Sequence, residues 1–197
     1  MEWFQQPHQA GLDNYIAGRI DEAEFIRQSG YYDHWSGVDY RIVRPILQFA
    51  RDNRIPLIAL NVDTDLHRKV LDGGFEGLTA EEKAQLPAEI DRSDSRYIDR
   101  LQSYFARHPG QEKQELDARI NRWVNGQLLW DEYMAEQTAN YLMANPDRRM
   151  VVLAGSGHLI YGSGIPNRVN RRVPVDSAIV INGFDFVTNG FFTEKIQ

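Results

Sequence analysis

The sequence predicts an α/β fold, with a mostly parallel central sheet flanked by helices. Three observations carry that expectation. Residues 150–154, 55–61 and 177–183 are short apolar runs without alternation, the pattern of strands covered on both faces. Stretches with apolar residues at helical spacing separate them. The run 150–154 then enters Gly155-Ser156-Gly157-His158, a glycine-rich loop that presents a histidine where the carboxyl end of a strand opens, the usual binding rim of an open α/β sheet.

The 197 residues suit one well-cored domain, 1–197, with a largely helical subregion at about 62–145. With 42% hydrophobic and 25% charged residues the composition is that of a globular protein rather than a disordered one. A net charge of -6 and scattered lysines and arginines argue against a nucleic-acid footprint. The absence of cysteine excludes disulfides, zinc–cysteine sites and thiol catalysis. No window has the length of a membrane span, and the first residues lack the regions of a signal peptide.

In chain order, residues 1–4 read as the end of a strand. Helices follow at 9–17 and 21–28; Asp21 and Glu24, three apart, form a capping box on the second. The cluster Tyr31, Tyr32, His34 and Trp35 is a packed corner or a pocket wall. A helix over 39–53 buries Ile42, Val43, Ile46, Leu47, Phe49 and Ala50, with Pro45 near enough to its start to be tolerated. Asn61 ends the run 55–61, either on the binding rim or as a cap for the next helix. Gly73 and Gly74 stop that helix, Thr79 caps another, and residues 94–107 place Tyr97, Leu101, Tyr104 and Phe105 on one stripe.

The longest helical pattern spans 111–145. Gln127 and Asp131 interrupt its apolar stripe at a spacing of four, and a carboxylate there needs a partner, a metal or a ligand to offset its burial. The basic cluster Arg168, Arg171 and Arg172 is a solvated loop or a clamp for carboxylates or phosphates. After the strand 177–183, residues 184–187 extend it or pair at its edge.

Ser156 does not lie between glycines two positions away on either side, so the segment does not fit a nucleophile elbow. No lysine follows the glycines as a phosphate loop requires. Metal binding would gather His158, Glu2 and Asp131, with Asn61 or Gln127 behind them. The five histidines, however, show no i, i+4 pair. Haem needs an apolar slot, an axial histidine or tyrosine and arginines for its propionates; nine tyrosines and four tryptophans supply the material.

The start 1–4, the segment from Trp35 through Tyr40 to Leu47, the run 55–61, Gln127 to Asp131 with Met134 to Glu136, and Gly155 through Gly162 to Arg168 together resemble the ChaN-like haem-binding lipoproteins. The resemblance spans nearly the whole chain. It implies an α/β sheet fold related to the Tiki, TraB and erythromycin-esterase groups. It also implies a protein of the bacterial envelope, lipid-anchored at the outer membrane or periplasm, that serves iron or haem acquisition. Its cofactor would be haem with a tyrosine ligand, two haems being held in a homodimer. Tyr40, Tyr97, Tyr104 and Tyr161 are the candidates, and His158, Glu2, Asn61, Gln127, Asp131, Tyr161 and Arg168 would line the haem cleft. The alternative is a metal-dependent hydrolase using a Glu/His cleft and a divalent metal. The sequence departs from the family pattern at its start: an upstream strand with a Gly-Glu-x-His-like motif and a lipoprotein signal are missing, as in a domain truncated at its N-terminus.

Overall fold

The computed structural model describes residues 1–34, 38–105, 113–184 and 189–195. The sequence readings at Trp35, 106, 107, 111, 112 and 185–187 fall outside them. The protein is mostly helical, and the expected central parallel sheet is absent among the described residues. Two compact units, Met1–Thr64 and Asp65–Gln197, divide the chain.

In the first unit, helices α1 (Gln9–Ile16), α2 (Glu22–Ser29), α3 (Tyr31–His34) and α4 (Tyr40–Asp52) surround an aromatic core. Asp21 caps α2 by accepting the Glu24 amide at 2.9 Å, and Gly30 ends it in the left-handed region at φ 60°. Asp39 caps α4 through the Arg41 amide at 2.8 Å, and α4 continues through Pro45 to Asp52. Phe4, Phe25 and Tyr31 are fully buried; Tyr15 stacks on Phe25 with ring centroids 4.3 Å apart. Of the face expected from α4, Val43, Leu47 and Ala50 are buried, whereas Ile42, Ile46 and Phe49 are exposed.

The run 55–61 is extended but forms no strand beyond a single parallel bridge between Gln5 and Asn61. The backbone of residues 1–6 meets its end, through Met1 N to the Ile58 carbonyl at 2.7 Å and Asn61 N to the Phe4 carbonyl at 2.9 Å, and the Gln9 side-chain amide donates to the Leu57 carbonyl at 2.8 Å and accepts the Ala59 N–H at 2.7 Å. Two-sided apolar character thus reports burial here without a sheet.

In the second unit lie α5 (Thr64–Gly73), α6 (Ala80–Lys83), α7 (Ser95–Phe105), α8 (Lys113–Ala144) and α9 (Ile165–Arg172). A capping box between Thr79 and Glu82 starts α6. Gly126 lies inside α8 without interrupting it, and a Cβ there would stand 2.5 Å from Leu71 Cδ2 and 3.0 Å from His67 Nε2. That bare position lets α5 approach α8. Tyr97, Leu101, Ile120, Val124 and Leu128 form the buried seam of α7 and α8. Among the described residues no helix is long and apolar enough to cross a membrane.

The expected buried strand 150–154 does not form: no residue of it pairs, and Val151 is 79% exposed. A strand needs a neighbour for its backbone groups, and none is described beside it. Among the described residues the strands are β1 (Ala178–Phe184) and β2 (Asn189–Lys195), an antiparallel pair in register from Ala178↔Lys195 to Phe184↔Asn189.

Leu128→Ala should therefore destabilise by about 2–5 kcal/mol, whereas Val151→Ala should stay within about 0.5 kcal/mol. Urea unfolding measures both; a loss above about 1.5 kcal/mol for Val151→Ala would mean a buried strand after all.

Candidate functional site

The stripe of α8 carries Asp131 inward, and the next residue, Glu132, is buried with it, at 1% and 0% exposure. Burial of an ionised carboxylate costs several kcal/mol unless charge or hydrogen bonds offset it. Each has a separate set of partners. Asp131 accepts a hydrogen bond from the Tyr97 hydroxyl of α7 through Oδ2, and its Oδ1 lies 2.5 Å from His158 Nδ1. A carboxylate can only accept here, which makes Nδ1 the protonated nitrogen. Burial, and then the Asp131 charge, push the Tyr97 phenol well above its usual range.

His158 is buried in a short turn, Ser156–His158. The chain then reverses at Tyr161 and Gly162, both left-handed at φ 58° and 67°. For tyrosine this conformation costs about 1–2 kcal/mol. Gly164 returns so close to His158 that a Cβ would stand 2.2 Å from its carbonyl oxygen and 3.1 Å from Asp131 Oδ2. The reversal leaves the Tyr161 side chain 68% exposed. The Arg100 guanidinium sits 5.4 Å from the Tyr161 ring centroid and 5.3 Å from that of Tyr97, and donates to Ser163 Oγ at 2.8 Å.

Glu132 is the centre of an arginine cluster. Arg168 Nε donates to it at 3.0 Å, Arg171 Nη2 at 2.9 Å and Arg172 Nη2 at 2.7 Å, and the Asp91 amide adds a fourth donor at 2.9 Å. Arg168 also donates to the carbonyls of Ser163 and Gly164 and lies over the Tyr97 ring at 4.5 Å. The basic cluster is thus a carboxylate clamp whose carboxylate belongs to the protein itself.

Trp130 joins a second histidine to this region. His67 stacks on it at 4.0 Å with rings 4° apart, and Trp130 meets His158 edge-on at 6.0 Å. Burial lowers the His67 pKa to about 4, an effect the Gly126 backbone partly offsets.

Asp131, His158 and Arg168 therefore converge around Tyr97, with Tyr161 attached through Arg100. Gln127 is half-buried one turn before Asp131. Glu2 and Asn61 are buried in the first unit, where Asn61 Nδ2 donates to the Glu2 carbonyl at 3.0 Å. Sequence reasoning missed Tyr97 as a partner of Asp131, and missed Glu132, Arg100 and Trp130. Tyr97 lay in a recognised stripe; Glu132 was overlooked although it stands four residues after Leu128 and three before Ala135, at helical spacing from two buried positions. Among the described residues no three histidine, cysteine, aspartate or glutamate side chains gather as a metal site.

The sequence profile for haem-binding uptake proteins of the Tiki superfamily, ChaN, matches residues 1–169. The chain belongs to this haem-binding family. It is also 27% identical over 192 residues to the Arabidopsis thaliana protein RETICULATA-RELATED 5, chloroplastic. That match covers 92% of this chain but 25% of the relative, so the chain spans about a quarter of that protein's length. No solved structure matches significantly. For this ChaN-family chain the four candidate tyrosines separate by exposure. Tyr40 and Tyr97 are buried, whereas Tyr104 and Tyr161 are each 68% exposed.

Two outcomes follow from the buried charges. Glu132→Ala leaves three guanidinium groups around an empty position and should cost about 3–5 kcal/mol in urea unfolding, against little change for Glu89→Ala at the cluster's exposed rim. His67 has a folded pKa below its unfolded value, so the unfolded chain binds more protons between about pH 6.5 and 4 and stability falls as pH drops through that window. Its contribution to the loss between pH 7.5 and 5 should be roughly 2 kcal/mol. Denaturation midpoints of the wild type and His67→Gln at both pH values isolate it; equal slopes would refute the assignment.

Proposed function

We propose that this chain binds haem on the exposed face of its second unit, with Tyr161 as the iron ligand. The observation that carries the reading is the exposed phenol of Tyr161, held in a left-handed turn beside Arg100. A phenolate is an established axial ligand of haem iron. Arg100 is placed to pair with a propionate. One turn further along α7, Tyr104 stacks with Trp123 at 5.9 Å and 19°, which supplies a flat apolar wall for a porphyrin. The haem, when bound, supplies the ferric centre; the chain supplies the phenolate, the cation and the ring wall.

The buried triad of Tyr97, Asp131 and His158 has a positioning part in this reading. It anchors both ends of the turn through the contact of Gly164 with the His158 carbonyl and with Asp131. The finer role is iron or haem acquisition at the bacterial envelope, by a homodimer enclosing two haems and tethered to the membrane by a lipid anchor. Its support is the family resemblance.

Titration with haem should produce a Soret band. Tyr161→Phe should weaken haem affinity at least about tenfold, some 1.4 kcal/mol, and shift the ligand-field spectrum. Tyr104→Phe, which keeps the ring, should leave the iron ligation spectrum as it is. An identical spectrum and affinity in Tyr161→Phe would overturn Tyr161 as ligand, and no Soret band in the wild type would overturn the function.

A further inference from the structure

The packing of the first unit leaves one face of α4 without a purpose. Val43, Leu47 and Ala50 fill the inner side of the helix, yet Ile42 is 69% exposed, Ile46 42% and Phe49 61%. At 100° per residue these three fall within about 60° of one another, roughly 120° round from the buried side, and Pro45, also exposed, lies beside them. Single apolar side chains on a surface are ordinary; a stripe of them along two turns of one helix is a contact surface.

Charge says what covers it. Arg41 and Asp52 border the stripe on the same side: three turns separate them, so they lie within about 20° of each other and about 16 Å apart along the helix. Arg41 bonds Asp39 through Nε and Nη2, which leaves its Nη1 hydrogens for a second acceptor, and its side chain is 86% exposed. Asp52 is exposed and enters no ion pair among the described residues. A two-fold axis across α4 near Ile46 lays a second copy of the helix alongside, antiparallel. Arg41 then faces Asp52 of the second copy, the same pair recurs at the other end, and each Phe49 rests against Ile42 and Pro45 of the other helix. The face is complementary to itself in both charge and apolar surface. A helix that lies on an anionic membrane is bordered by cations, whereas this stripe is bordered by both signs.

We propose that α4 is the contact of a haem-independent homodimer, in which two copies pack antiparallel through Ile42, Ile46 and Phe49 with reciprocal Arg41 to Asp52 ion pairs. The contact lies in the first unit and uses no group of the haem reading, so it is separate from any association that haem drives. One helix face per copy falls short of the roughly 1,200 Å² that stable specific interfaces bury, which makes the dimer a weak, concentration-dependent one.

The test is sedimentation of the full chain without haem, from low micromolar to several hundred micromolar protein, with circular dichroism as the check of folding. The wild type should shift from monomer toward dimer, and Phe49→Asp should associate at least about tenfold more weakly. Arg41→Asp and Asp52→Arg should each associate about fivefold more weakly than the wild type at low salt, because like charges then face each other at both ends. Mixed in equal amounts, those two variants restore opposite charges at both ends and should form a heterodimer tighter than either homodimer. A wild type that stays monomeric, a dimer that Phe49→Asp leaves unchanged, or a mixture no tighter than its components would overturn the proposal. Binding of a monomeric wild type to anionic vesicles, lost in Phe49→Asp, would give the face to a lipid surface and overturn it too. Haem titration of Phe49→Asp should match the wild type, which keeps this result apart from the assignment of Tyr161.

Discussion

Two adjacent carboxylates buried on one helix set the terms for the rest of the second unit. Asp131 and Glu132 stand side by side on α8, and each must recover the several kcal/mol that removal from water costs. Adjacent helix positions point about 100° apart, so one set of partners cannot serve both. Asp131 is met by α7 and the 155–164 loop, Glu132 by α9 and the segment around Asp91. Elements far apart in sequence are therefore tied to α8 by charge as well as by the apolar seam of Tyr97, Leu101, Val124 and Leu128. Arg168 links the two sets, since it pairs with Glu132, lies over the Tyr97 ring and holds the carbonyls that open α9.

The conformation of Tyr161 depends on that arrangement. A tyrosine in the left-handed region is retained only where its surroundings over-determine it. Here His158 is tied to Asp131 on one side of the turn, and Arg168 holds Ser163 and Gly164 on the other. Gly164 completes the closure because any side chain would collide with the His158 carbonyl. The exposed phenol is thus held by groups that never reach the surface.

Parts of this were legible in the sequence, for reasons that differ by residue. The length of α8 and the need for partners at Asp131 follow from a single periodicity, and α8 keeps that period across Gly126. The clamp at Arg168, Arg171 and Arg172 was legible as chemistry; its carboxylate was legible only through the helical spacing of Glu132 from Leu128 and Ala135, since a glutamate reads as solvent-facing by residue type. The α/β sheet failed at 55–61 and 150–154. Apolar runs without alternation indicate that both sides of a segment avoid water; they do not say what accepts its backbone hydrogen bonds. In one case a glutamine side chain and the backbone of residues 1–6 share that role, and in the other no neighbour is described.

An open face has a thermodynamic consequence for the proposed haem site. A porphyrin laid against Tyr161, Tyr104 and Trp123 would bury one side and leave the other in water, forfeiting about half of the apolar area that an enclosed slot removes. A second apolar face laid over it recovers that area. A homodimer supplies such a face with no further component, and the ring pair that supports one haem then helps to cover its neighbour. In such a dimer haem binding and association would be linked equilibria, each strengthened by the other, and apparent haem affinity would rise with protomer concentration. Such linkage permits release by dissociation, without a conformational change in the clamp that holds Tyr161.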